Sequence, residues 1–185
     1  MTTLATPALY TAEQFLELAD IDGPAELVEG ELVEMPQSKP RHGQVCMNIG
    51  FLLKLHANQH NLGHVFSNDA AIITGRNPDT VRGADVGFIS YDKVPRGPLP
   101  DGFLPAPPDL VVEVRSPTDR WKDIMKKVIE YLDAGVTVVC VLDPTTETAR
   151  ICRSDRDEEQ LKNGDPLTFE DVLPGFSAPL KQLFE

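Results

Sequence analysis

Positive charge, cysteine and long apolar runs are all scarce in this chain, and each scarcity removes a class of protein. Seventeen Lys and Arg stand against 29 Asp and Glu, giving a net charge of −12 and a pI near 4.7. That balance argues against a broad basic surface that neutralises many phosphates at once, so any contact with nucleic acid has to be local. The three cysteines, Cys46, Cys140 and Cys152, form no C-x-x-C pair, and two lie in apolar or alternating runs. There a reduced thiol behaves as a small hydrophobe, and no zinc site built from cysteine is expected. No apolar stretch approaches the roughly 20 residues of a membrane-spanning helix. The first residues lack the basic start and apolar segment of a secretory signal, so a cytoplasmic location is the expectation. Internal repeats and low-complexity tracts are also missing.

What is present is the composition of a soluble globular protein, 41% hydrophobic and 25% charged. A length of 185 residues fits one domain spanning 1–185 and is too short for two ordinary ones. Thr11 and Gln14 form a capping-box pattern ahead of Phe15, Leu16, Leu18 and Ala19, which predicts a helix over 11–20. Glu26 to Met35 reads as two short strands around a Glu29-Gly30 turn. Val45, Ile49, Leu52, Leu53 and Leu55 outline a helix from Arg41 to about Asn61. Strands are expected at 63–67, 70–74 and 85–90, with Asn68-Asp69 as a turn between the first two. The proline-rich stretch between Tyr91 and Pro108 is either a functional loop or a stiff connector. His56, His60 and His64 recur every fourth residue, but Gly63 ends the helix before His64, and a surface-polar role is favoured over a metal site.

From Asp109 the pattern sharpens into strand, helix, strand. Ser116-Pro117-Thr118-Asp119 opens the helix, with Trp121, Ile124, Met125, Val128, Ile129 and Leu132 as its apolar stripe and Gly135 as its terminator. Val136 to Leu142 is a continuous apolar run ended by Asp143-Pro144, which predicts a buried strand parallel to the one before the helix. Thr148 to Ser154 suggests an outer strand, and residues from Leu173 to Phe184 a tail packed back on the body.

The strand Leu110 to Val114 holds the most informative residue. Alternation places Leu110, Val112 and Val114 on one face and Val111, Glu113 and Arg115 on the other, so Glu113 is a carboxylate in an otherwise apolar strand. A lone buried charge costs several kcal/mol or more unless it is paired, hydrogen-bonded or metal-bound. A structural pair with an arginine, or an edge strand with one wet face, accounts for Glu113 equally well. Asp85, at the expected start of another strand, can share a cation with Glu113, since magnesium takes a few hard oxygen ligands plus water. Alone, Asp85 reads as a strand-entry residue.

These segments resemble the Uma2 family (DUF820 type) of restriction-endonuclease-like proteins in the PD-(D/E)xK nuclease superfamily. The resemblance rests on Glu26 to Met35, His42, Arg82 to Phe88, Pro108 to Arg120, Lys127 to Tyr131, Ala134 to Val136 and Asp143-Pro144. It implies an α/β (α+β) fold with a restriction-endonuclease-like mixed central sheet flanked by helices. It further implies a metal-dependent endonuclease hydrolysing phosphodiester bonds, with DNA as substrate, Mg²⁺ as cofactor (Mn²⁺ as a substitute) and a homodimer as a possible assembly. Asp85, Glu113 and the Val114 backbone carbonyl become the metal ligands. The lysine normally two residues after the glutamate is Arg115 here, and Lys127 matches a position displaced onto the following helix. The helical wheel does not itself choose Lys127 over Lys126. Glu26 and Glu29 match acidic positions near the hairpin, and His42 matches a recurrent histidine able to orient a phosphate or carboxylate. The alternative is a catalytically lapsed nuclease-fold domain that serves as a nucleic-acid or protein interaction module.

Overall fold

Alternation and 3.6-residue periodicity both translate into elements of a mixed sheet clasped by two helices. The computed structural model describes residues 9–18 and 23–185. Ala19 and Asp20 of the expected first helix, like residues 1–8, lie outside these. Helix α1 (Ala12–Glu17) starts on the Thr11–Gln14 capping box, both halves of which are formed. Strands β1 (Ala25–Val28) and β2 (Glu31–Glu34) form a hairpin whose two turn residues, Glu29 and Gly30, have φ of 51° and 81°. Positive φ at both positions is what a type I′ turn demands, which is why glycine closes it.

Helix α2 (Pro40–His60) follows, then the long antiparallel pair β3 (Gly63–Gly75) and β4 (Thr80–Ser90). Asn68-Asp69 is not a turn between two strands. Both residues have positive φ and form a bulge within continuous β3, so the ladder passes from Ser67↔Val86 to Ala70↔Ala84. Asp85 accordingly lies inside β4 and not at a strand start. The proline-rich segment then leads to β5 (Leu110–Val114), helix α3 (Trp121–Asp133) and β6 (Val138–Asp143), with β5 and β6 parallel as expected. Strand β7 (Thr148–Cys152) is not the outermost, because β8 (Glu159–Leu161) pairs along its free side. The hairpin β9 (Pro166–Thr168) with β10 (Ser177–Pro179) and a 3₁₀ turn (Leu180–Phe184) close the chain.

The sheet runs β2-β1-β4-β5-β6-β7-β8, with β3 on β4 as a branch. Its two faces carry separate cores. Val86, Phe88, Leu110, Val112, Val114, Val138, Cys140 and Leu142 pack with Val45, Ile49, Leu53 and Ala57 of α2 and with the C-terminal tail. On the other face Ala84, Val111, Val139 and Val141 pack with Ile124, Val128 and Tyr131 of α3. Strand β5 is buried on both faces along its length, so Glu113 projects from the middle of the fold toward α3. His64 is buried too, against the surface role expected of it. It sits at the start of β3, edge-on to Tyr91, with Nε2 3.1 Å from the Pro95 carbonyl oxygen. Among the described residues no helix is long and apolar enough to cross a membrane.

Candidate active site

The site exists because one strand edge is shared. β3 occupies one edge of β4 from Thr80 to Ser90, so β1 and β5 divide the other. Leu27 pairs with Val81, and Val112 to Leu110 pair with Val86 to Phe88. Between these contacts, at Arg82 to Asp85, the edge carries no strand. Carboxylates take over the backbone donors there: Gly83 N–H donates to Glu26 Oε1 (3.2 Å), and Val114 N–H donates to Asp85 Oδ2 (2.6 Å). A cleft of about 600 Å³ opens at this gap, with Glu26, His42, Asp69, Asp85, Glu113 and Lys127 in its lining.

On the α3 side the charges interlock. Arg82, itself buried, donates from Nη1 to Glu26 Oε2 (2.8 Å) and from Nε and Nη2 to Glu130 (2.6 and 3.0 Å). The two carboxylates hold the guanidinium charged against its burial, and its pKa is raised. Lys127 Nζ lies 2.7 Å from Glu26 Oε1 and 3.7 Å from Glu113 Oε2. Burial opposes the ammonium charge, but the Glu113 and Glu26 carboxylates outweigh it and raise the Lys127 pKa. The Tyr131 hydroxyl donates to Glu113 Oε1 (2.8 Å). Only 4% of Glu113 is exposed, and that burial, with the nearby Asp85 charge, pushes its pKa up to about 8 against the pull of Lys127 and Tyr131. Glu113 Oε2 has no hydrogen bond among the described residues, and its nearest cation, Lys127, stands beyond hydrogen-bonding distance.

On the α2 side, His42 Nε2 is 3.3 Å from Asp85 Oδ2, and His42 Nδ1 is 3.5 Å from Cys46 Sγ. The contact with Asp85, then that with Cys46, raises the His42 pKa to about 11 despite burial. Burial raises the Cys46 thiol. The oxygen donors suit a hard divalent ion: two carboxylates, one with an unpaired oxygen, beside the backbone of Val114.

Asp85, Glu113, Lys127, Glu26 and His42 thus come together in one cleft, although they derive from β4, β5, α3, β1 and α2. Glu29 does not join them. It sits exposed on the hairpin turn, 3.9 Å from Lys126, which is itself more than half exposed. Lys127 and Lys126 are separated by the inward tilt of one position. Reading the sequence residue by residue missed roles for Arg82, Glu130, Tyr131, Cys46 and Asp69. The only available signal was for Cys46, four residues after His42 on a helix and so on the same face. No residue from 91 to 109 lines the cleft, so the proline-rich segment is a connector with respect to it.

A family model named Uma2 and described as "Putative restriction endonuclease" matches residues 12–181. A crystal structure described as "a putative nuclease belonging to DUF820", from Anabaena variabilis, superposes with a TM-score of 0.79 at 18% identity. The match covers 94% of this chain and 97% of that one, and it establishes the shared fold. No curated protein matches the chain.

Proposed function

The chain belongs to the Uma2 family, and we propose that it is a metal-dependent endonuclease that hydrolyses phosphodiester bonds in DNA. The observation that carries this reading is the convergence of Asp85 and Glu113, opposite each other at the open end of the β4–β5 ladder, with Lys127 beside Glu113. Asp85, Glu113 and the Val114 carbonyl would hold Mg²⁺, with Mn²⁺ as a substitute. When bound, the ion neutralises charge on the scissile phosphate and lowers the pKa of the attacking water.

The chain's own residues do the rest. Asp85 is fixed from two sides, by the Val114 N–H and the His42 ring, so its carboxylate is oriented before any substrate arrives. Tyr131 holds one Glu113 oxygen and leaves the other facing the cleft. Lys127 orients the water and meets the negative charge that develops on the phosphoryl oxygens. Glu26 positions Lys127 and is itself locked by Arg82. Lys39 and Arg120 on the cleft lining are the local cations that would meet the flanking phosphates of the substrate. Cutting both strands of a duplex would call for two such sites, and hence a homodimer.

A second reading, a lapsed nuclease fold kept as an interaction module, draws on one observation: the closest carboxylate to Lys127 is Glu26 and not Glu113. Supercoiled plasmid at low salt with Mg²⁺ or Mn²⁺ separates the two. Nicking by the parent chain, lost in Glu113→Ala, is the expected result. Equal nicking by both, or none by either, moves the weight to the second reading.

A further inference from the structure

The imidazole of His42 stands between a thiol and a carboxylate, and the nuclease reading uses only the carboxylate side. One donor atom each from His42, Cys46 and Asp85 lies within 4.8 Å of the others. The individual contacts are 3.3 Å from Nε2 to Asp85 and 3.5 Å from Nδ1 to the Cys46 sulfur. The two contacts use opposite ring nitrogens and one ion can take only one of them; a tetrahedral ion with N, O and S bonds of 2.0–2.3 Å needs ligand atoms roughly 3.3–3.7 Å apart, so the donors, now within 4.8 Å of one another, have to close on a single nitrogen by side-chain rotation. His42 and Cys46 are four apart within the 21-residue helix α2, which holds both on one face with little backbone freedom. Asp85 is anchored by the Val114 N–H. All three residues are partly buried, and His42 and Asp85 line the cleft, with Cys46 one helical turn behind His42.

The donor chemistry separates this group from the pair Asp85 and Glu113. Magnesium takes hard oxygens, whereas a thiolate with an imidazole selects zinc or cobalt. We propose that His42, Cys46 and Asp85 form a second metal site, for a borderline divalent ion such as Zn²⁺, whose occupancy withdraws Asp85 from the hydrolytic site. A water fills the fourth position. The binding claim stands on this geometry alone. The withdrawal of Asp85 rests on the nuclease reading. The two sites share a ligand, so filling one opposes filling the other, and zinc acts as an inhibitor that magnesium displaces only at large excess.

Cobalt titration of the full chain under reducing conditions tests binding without reference to activity. A near-ultraviolet thiolate-to-cobalt charge-transfer band is expected, displaced by zinc, absent in Cys46→Ala, and requiring at least tenfold more cobalt in Asp85→Asn. Cys140 and Cys152 are buried at other places in the fold and remain in Cys46→Ala as internal controls. No band in the parent chain, or an unchanged band in Cys46→Ala, overturns the site, with circular dichroism confirming that the variant is folded. In a nicking assay at fixed Mg²⁺, Cys46→Ala should need at least tenfold more zinc than the parent for half inhibition. Equal sensitivity overturns the withdrawal of Asp85. If the parent nicks nothing in Mg²⁺ alone, the nuclease reading and the withdrawal claim both fall, while the cobalt band still decides the metal site.

Discussion

The two ends of the β4–β5 pair differ, and the proposed chemistry falls at one of them. From Val86 to Phe88 the strands are laddered with Val112 to Leu110, both faces are dry, and every side chain in contact is apolar. One residue further the ladder stops, and Asp85, Glu113 and Val114 face a cleft. At the laddered end, backbone donors are satisfied by backbone. At the open end they are satisfied by Glu26 and Asp85 side chains, which are thereby oriented toward the gap. Buried carboxylates are tolerated there because each already fills the role of a missing strand. Stability should therefore live at one end and activity at the other, and substitutions can break that division.

The largest effect is expected from paired variants across the boundary. Glu113→Gln keeps the shape and the contact with Tyr131 but removes the charge, and should cost at least about 10³ in metal-dependent nicking with no loss of melting temperature. Leu110→Ala, three residues away in the dry core, should do the reverse, losing about 2–5 kcal/mol of stability while nicking persists at temperatures where the variant is folded. Chemical denaturation and plasmid nicking on both variants measure the two columns of this contrast. Loss of activity in both, tracking stability alone, would remove the division.

Arg82 tests the boundary itself, because its guanidinium braces Glu26 and Glu130 from within the gap. Arg82→Met takes the guanidinium from both carboxylates, leaving Lys127 to Glu26 and Lys126, at 3.7 Å, to Glu130, and breaking a buried pair from one side costs about 3–5 kcal/mol. Urea midpoints measure the loss. Replacing Glu130 with Gln in the same chain should recover part of it, since the carboxylate left with the more distant cation is then neutralised. Lys127 and Lys126 provide a smaller contrast on a single helix turn. Lys127→Met should lower nicking by about 10², whereas Lys126→Met, at an exposed position, should change stability by no more than about 0.5 kcal/mol and leave turnover intact.

Much of this was legible in the sequence, and the part that was not has a common cause. Alternation assigned Leu110, Val112 and Val114 to one face and Glu113 to the other because β5 is regular and buried throughout. The capping box, the α3 stripe and the parallel β6 followed from equally local rules. The choice of Lys127 over Lys126, and of Glu26 over Glu29, was not local. It depends on Arg82 and Glu26 meeting across the β1–β4 junction, more than 50 residues apart in the chain. The bulge at Asn68-Asp69 hid for a related reason, since two residues of positive φ read equally as a turn or as an insertion into one strand. The resemblance to Uma2 proteins brought Asp85, Glu113 and Lys127 together, where periodicity alone left each with an ordinary explanation.

A carboxylate in place of a strand is not by itself a sign of chemistry, and α1 provides the counterexample. Asp79 accepts from the Ala12 N–H through Oδ2 (2.8 Å) and from the Asn77 N–H through Oδ1, with Arg76 at 2.8 Å. The same device docks a helix that does not line the cleft. Donation by Ala12, then by Asn77 and Arg76, outweighs desolvation and holds the Asp79 carboxyl below its ordinary value. A depressed carboxylate stabilises above its unfolded pKa of about 3.9, and that contribution disappears as pH falls through the lower folded value. At neutral pH, Asp79→Asn should speed amide exchange across residues 12–17 relative to the parent. The gap between parent and variant should close as the pH is lowered below about 4, and nicking at neutral pH should be the same in both. If Asp79→Asn instead impaired nicking, α1 would be coupled to the cleft, and the boundary between bracing and chemistry would have to be drawn further toward the N-terminus. What sets the cleft apart is thus convergence: Glu26 and Glu113 meet around one lysine with Asp85 lining the same cleft, whereas Asp79 meets a helix end, the Asn77 N–H and a surface arginine.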